Sequence, residues 1–235
     1  MQEYSIYQDI AQRTQGDIYI GVVGPVRTGK STFIKQFMDL KVLPNIDNAF
    51  KKERAKDELP QSAAGKTIMT TEPKFVPNEA VSINIDDANC RVRLIDCVGY
   101  MVKGALGGSE DGEVRMVQTP WSENPIPFNE AAEIGTQKVI CEHSTIGLLV
   151  TTDGSVTEIP REDYVEAEER VVNELKAINK PFIVLLNSTH PHQAQTKELQ
   201  NQMQAKYGVP VVAMSCADMD EEDIAGILET VLRCV

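Results

Sequence analysis

Eight consecutive residues, Gly24-Pro25-Val26-Arg27-Thr28-Gly29-Lys30-Ser31, fit the pattern G-x-x-x-x-G-K-[ST]. Such a loop can hold phosphate, because its successive backbone N–H groups and the positive end of the following helix surround the β- and γ-phosphates. Lys30 adds a mobile positive charge, and the Ser31 hydroxyl, with Thr32 beside it, is placed to meet Mg²⁺. The chemistry this implies is the binding of a nucleoside triphosphate.

A second candidate lies downstream. Asp96-Cys97-Val98-Gly99 is a D-x-x-G at the end of an apolar run, where the acid can hold the Mg²⁺ hydration shell and the Gly99 N–H can meet the γ-phosphate. Thr70 and Thr71 lie where a first switch segment would supply a threonine to Mg²⁺ and the γ-phosphate, although a Thr-Thr before Glu-Pro also suits the start of a strand.

The base site is marked by what is missing. A guanine-reading Asn-Lys-x-Asp is expected after the strand ending at Leu186, but the sequence there is Asn187-Ser188-Thr189-His190. The aspartate that bonds the guanine ring and the lysine that packs on it are both absent, so the physical reason to prefer GTP is lost and ATP is expected. Asn187 remains a candidate contact, and Ser215 opens the turn where a second base loop would lie. The residue after D-x-x-G is Tyr100 rather than a glutamine, so no water-orienting group is legible. Arg27 suits either a phosphate contact or a solvent-facing position, and His143, His190 and His192 lack metal-ligand spacing.

These residues need a scaffold. Asp17 to Val23 reads as a strand before the loop, and Thr32 to Leu40 as a helix after it. Val81–Ile85 and Arg91–Ile95 are expected to pair as an antiparallel hairpin at a sheet edge. Near-continuous apolar runs at 146–151, 181–186 and 209–214 suit strands buried on both faces, and they alternate with helical patterns over 161–178, 193–207 and 221–233. The expected fold class is α/β, a mostly parallel sheet with helices on both faces and one antiparallel edge strand, over a single domain spanning residues 1–235. Leu40 to Glu72 and Tyr100 to Pro127 read as long irregular segments in the positions of nucleotide switches.

Acidic residues outnumber basic ones by 35 to 23, a net charge of −12 that argues against nucleic acid as a partner. The basic run at 51–56 reads first as a solvated helical face. The five cysteines form no C-x-x-C pair and suit reduced core thiols. The first residues lack a signal-peptide pattern, so a cytoplasmic location is expected.

Four segments together carry a more specific likeness: residues 24–35; 57–75, which include Gln61-Ser62-Ala63-Ala64-Gly65-Lys66-Thr67; 96–100; and Thr119-Pro120-Trp121 with Pro125-Ile126-Pro127-Phe128. They resemble the stage IV sporulation protein A family of spore-coat morphogenetic ATPases from endospore-forming bacteria. The resemblance implies a P-loop NTPase fold of the translation-factor GTPase type that uses ATP, with the phosphate loop at Gly24 to Ser31. It also implies a magnesium acid at Asp96 and a hydrolysis-linked threonine at Thr70 or Thr71. Self-association into a polymeric shell around the forespore, on its mother-cell side, is implied as well. The partners it implies are a small amphipathic membrane-anchoring peptide and coat or encasement proteins. Family members are longer, so the chain is expected to be their N-terminal ATPase domain.

Overall fold

In a computed structural model, residues 17–60, 71–85, 88–105, 109–110 and 113–234 are described. β1 (Asp17–Val23) occupies the middle of a six-stranded sheet, with β3 (Ala88–Asp96) parallel on one side and β8 (Ile146–Thr152) parallel on the other. Beyond β8 follow β9 (Phe182–Asn187) and β10 (Val211–Met214), both parallel. Beyond β3 lies β2 (Lys74–Ile85), the antiparallel edge. The expected hairpin is therefore present, but its first strand starts seven residues before Val81. A register shift between Val76 and Val81 breaks the alternation that a sequence reading needs.

The parallel strands are apolar on both sides because both faces are covered. Ile183 and Leu185 of β9 face a core that includes Phe33, Ile34 and Phe37 of α1 (Lys30–Phe37) and Ile224, Ile227 and Leu228 of the last helix. Their neighbours Phe182, Val184 and Leu186 face a second core with Val171, Val172 and Leu175. α1 runs into a π-helical turn (Met38–Val42) and a short 3-10 turn (Leu43–Asn45). α2 (Ala49–Asp57) then begins under an Asn48 cap, whose side chain accepts from the Lys51 N–H. The segment expected to be irregular from Leu40 is thus largely helical as far as Asp57, while residues 61–70 lie outside the described residues. The basic run forms a solvated face of α2, with Lys51 paired to Glu79 and Arg54 to Glu58.

The segment from Tyr100 to Pro127 also holds order that was not expected. Two small ribbons occur there, β4 (Ser109–Glu110) with β5 (Glu113–Val114) and β6 (Met116–Thr119) with β7 (Ser122–Pro127). β7 leads directly into α3 (Phe128–Lys138), a helix missing from the sequence reading. α4 (Val165–Ala177), α5 (Ala194–Tyr207) and α6 (Glu221–Leu232) match the helical patterns, and Gly208 at φ 67° ends α5. Among the cysteines, Cys90, Cys97 and Cys216 are buried, Cys234 is half-buried and Cys141 is exposed, so Cys141 departs from the expectation of core thiols. No helix among the described residues is long and apolar enough to cross a membrane.

Candidate functional site

All five parallel strands end at one edge of the sheet. β1 and β3 finish with Val22 opposite Asp96, and Thr152, Asn187 and Met214 end the other three. From β1 the chain goes to the β2–β3 side and then crosses back over β1 to β8, so the crevice at this edge is a topological switch point, where open α/β sheets bind their ligands.

The phosphate loop is tied at several points. The Pro25 carbonyl accepts from Thr28 Oγ1 at 3.0 Å, and the Val26 N–H donates to the Tyr100 carbonyl at 2.9 Å. The Tyr100 N–H returns a bond to the Gly24 carbonyl at 3.3 Å. From β9, Asn187 Nδ2 donates to the Thr28 carbonyl at 2.9 Å, while Asn187 Oδ1 accepts from the Cys216 N–H at 3.0 Å. Asn187 therefore joins the phosphate loop to the turn containing Ser215, whose own hydroxyl donates to Asp218 at 2.7 Å.

Lys30 is buried and turned back on its loop, with Nζ donating to the Pro25 carbonyl at 2.5 Å and the Gly24 carbonyl at 3.5 Å. Burial pushes its ammonium below the ordinary lysine range, against the raising influence of Cys97 and Asp96. Ser31 Oγ lies 3.4 Å from Asp96 Oδ2. Burial raises the Asp96 carboxyl to about 6, and the Lys30 charge opposes that rise. The other carboxylate oxygen, Oδ1, is sealed from solvent and has no hydrogen-bond partner. An orphaned carboxylate oxygen costs free energy unless something positive reaches it. A divalent cation held between Ser31 and Asp96 fits that need, and hard oxygen donors of this kind suit Mg²⁺.

Gly99 completes the site. Its φ is +94°, and a Cβ there would stand 2.1 Å from the Gly24 carbonyl oxygen and 2.7 Å from Lys30 Nζ, so only glycine lets the two loops meet. The structure thus brings together Gly24, Pro25, Val26, Thr28, Gly29, Lys30, Ser31, Asp96, Gly99 and Asn187, with Thr32 in the first turn of α1. Arg27, at φ 59°, is exposed. Thr71 is buried three residues before Lys74, the partner of Asp96 in the β2–β3 register. Thr70 lies outside the described residues. His190 and His192 are exposed, and His143 packs edge-on against Phe75. No cluster of metal ligands drawn from His, Cys, Asp and Glu occurs among the described residues.

Sequence reasoning missed the residues that brace this edge. The Asp153 carboxylate accepts from Ser188 Oγ at 2.6 Å and Thr196 Oγ1 at 3.3 Å on Oδ2, and from the Ser155 N–H at 2.9 Å on Oδ1. It therefore fixes the loop after Asn187. The Tyr100 hydroxyl donates to Glu174, under the Arg170 guanidinium, which lies 4.0 Å from the ring centroid. An acid directly after a buried strand, followed by Gly154-Ser155, is a usable signal for Asp153, whereas no local pattern pairs Tyr100 with Glu174.

The stage IV sporulation protein A ATPase domain matches residues 1–234 of the chain. Curated relatives named stage IV sporulation protein A are 59% identical in Bacillus anthracis, over 99% of this chain and 47% of that protein. The values are 58% in Bacillus subtilis, over 99% and 47%, and 59% in Clostridioides difficile, over 97% and 47%. The chain belongs to the stage IV sporulation protein A family. It spans about half the length of the curated family members it matches. Crystal structures of two SsGBP point variants share its fold, with TM-scores of 0.52 and 0.51 at 13% and 14% identity, each covering 96% of this chain and 58% of the other. The fold is of the α/β, P-loop NTPase-like type, a mostly parallel sheet with helices on both faces.

Proposed function

We propose that this chain is the ATP-hydrolysing unit of a sporulation morphogenetic protein. The observation that carries the reading is the buried, partnerless Asp96 Oδ1 beside Ser31, at the mouth of a phosphate loop in a chain of this family. Lys30 leaves the Gly24 and Pro25 carbonyls for the β- and γ-phosphates, and the Gly99 N–H turns to the γ-phosphate. Ser31 and Asp96 would hold Mg²⁺, which would supply positive charge to the transferred phosphoryl group. Thr70 or Thr71 supplies the hydroxyl that senses the bond being broken, and Thr70, Thr71 and Ser31 are the neutral ligands available to the metal.

ATP is the substrate on this reading. A guanine site needs a carboxylate after Asn187, and Ser188-Thr189-His190 provides none. Nor does Asp153 replace it, since both its oxygens are engaged by Ser155, Ser188 and Thr196.

In the complete protein, hydrolysis drives self-association into the basement layer of the spore coat on the mother-cell side of the forespore. A small amphipathic membrane-anchoring peptide and coat or encasement proteins are its partners, and nucleic acid is not. Phosphate release by this chain should be faster with ATP than with GTP and should stop when Mg²⁺ is chelated. Equal rates with both nucleotides would overturn the base assignment, and release from neither would overturn the ATPase reading.

A further inference from the structure

The Gly99 N–H is bonded to Thr136 Oγ1 at 3.2 Å. Thr136 is fully buried on α3, and its hydroxyl hydrogen goes to the Ala132 carbonyl at 2.8 Å, so toward Gly99 it acts as an acceptor. The preceding residue, Gly135, meets the Thr71 segment: a Cβ there would stand 2.4 Å from the Thr71 carbonyl oxygen. One turn of α3 thus touches both the Thr71 segment and the D-x-x-G glycine. The same helix emerges from β7, its Phe128 N–H donates to the Arg115 carbonyl at 2.8 Å, and its Lys138 ammonium lies 5.9 Å from the Trp121 ring centroid.

We propose that the Thr136 hydroxyl is the resting acceptor for the Gly99 N–H, displaced by a γ-phosphate, so that Thr136 is the positioning residue through which a triphosphate is distinguished from a diphosphate and reported to α3 and the β6–β7 ribbon. The inference rests on the ATP site proposed above. A buried backbone N–H needs one good partner, and the hydroxyl supplies it whenever no γ-phosphate is present. With the hydroxyl removed, the free and diphosphate-bound forms leave that N–H only the weak acceptor of the Cys97 sulfur, whereas the triphosphate-bound form supplies a phosphate oxygen. The substitution should therefore favour the triphosphate selectively.

Calorimetric titration of the unsubstituted chain, Thr136→Val and Thr136→Ser with Mg²⁺-ADP and a non-hydrolysable ATP analogue reads this directly. Valine keeps the shape and loses the acceptor, so the ratio of analogue to ADP affinity should rise roughly fivefold or more, while serine keeps the original ratio. One ratio shared by all three proteins would overturn the inference alone. Failure of the unsubstituted chain to bind either nucleotide would overturn the site itself and the inference with it. Trp121, the sole tryptophan, gives a second reading that needs no variant. Its emission should differ between analogue-bound and ADP-bound protein, and identical emission in both would also overturn the coupling, whether or not Thr136→Val folds.

Discussion

Arg161 and Glu168 form a two-pronged ion pair below the loop that follows β8, with N–O distances of 2.5 and 2.8 Å. Glu168 has no exposed surface and also accepts from Thr151 Oγ1 at 2.5 Å and from the Tyr207 hydroxyl. The network joins β8, α4 and α5 behind the loop held by Asp153. Glu168→Ala leaves the Arg161 charge half-buried without its partner, and it should cost about 3–5 kcal/mol in denaturant unfolding. A loss under about 1 kcal/mol would show that water replaces the carboxylate.

Lys30→Ala is expected to abolish phosphate release and weaken triphosphate binding, because the β- and γ-phosphate oxygens lose their counter-charge. Stability should change little, since relief of a buried ammonium offsets the loss of its carbonyl bonds and of its attraction to Asp96. Phosphate release with thermal melting on one preparation checks both halves, and normal turnover would remove Lys30 from the mechanism.

Asp96→Asn keeps the size and hydrogen-bonding reach of the side chain but lacks the charge for a divalent cation. Mg²⁺-dependent phosphate release should fall on the order of 100-fold or more, with an unchanged circular dichroism spectrum. A variant that unfolds would instead place Asp96 among the structural residues.

Asp153 supplies a pH prediction. Burial acts to raise its carboxyl, but hydrogen bonds from Ser155, Ser188 and Thr196 outweigh it and hold the group below the usual carboxylate range. A depressed folded-state value means that the ionised form supports the fold. That support is complete above the unfolded value of about 4 and is lost as pH falls through the lower folded value. Asp153→Asn should lower stability at pH 7 and flatten this part of the acid limb, as read by urea unfolding at several pH values. Parallel acid limbs for variant and parent would refute the assignment.

Local pattern and motif carry the phosphate loop, Asp96, Gly99, the edge hairpin and four of the six α-helices among the described residues into the sequence reading. These features depend on neighbours in the chain, or on apolar periodicity that burial on two faces imposes. α3 escapes that reading because it begins at Phe128 directly after the irregular segment ending at Pro127, without a capping side chain. α2 was seen only as helix-compatible charge, since Ala55 is its one buried side chain. Thr136, Asp153 and Glu174 act on the site through partners 37, 35 and 74 positions away, distances at which sequence spacing carries no contact information.

The inward turn of Lys30 has a kinetic consequence. An arriving nucleotide meets a loop whose ammonium already rests on the Gly24 and Pro25 carbonyls, while the nearby Gly99 N–H rests on Thr136. Both internal bonds occupy donors that the phosphates require, so encounter is not yet capture. Association should saturate with nucleotide concentration at the rate at which the loop rearranges, and apparent affinity is reduced by the fraction of time its donors stay turned inward.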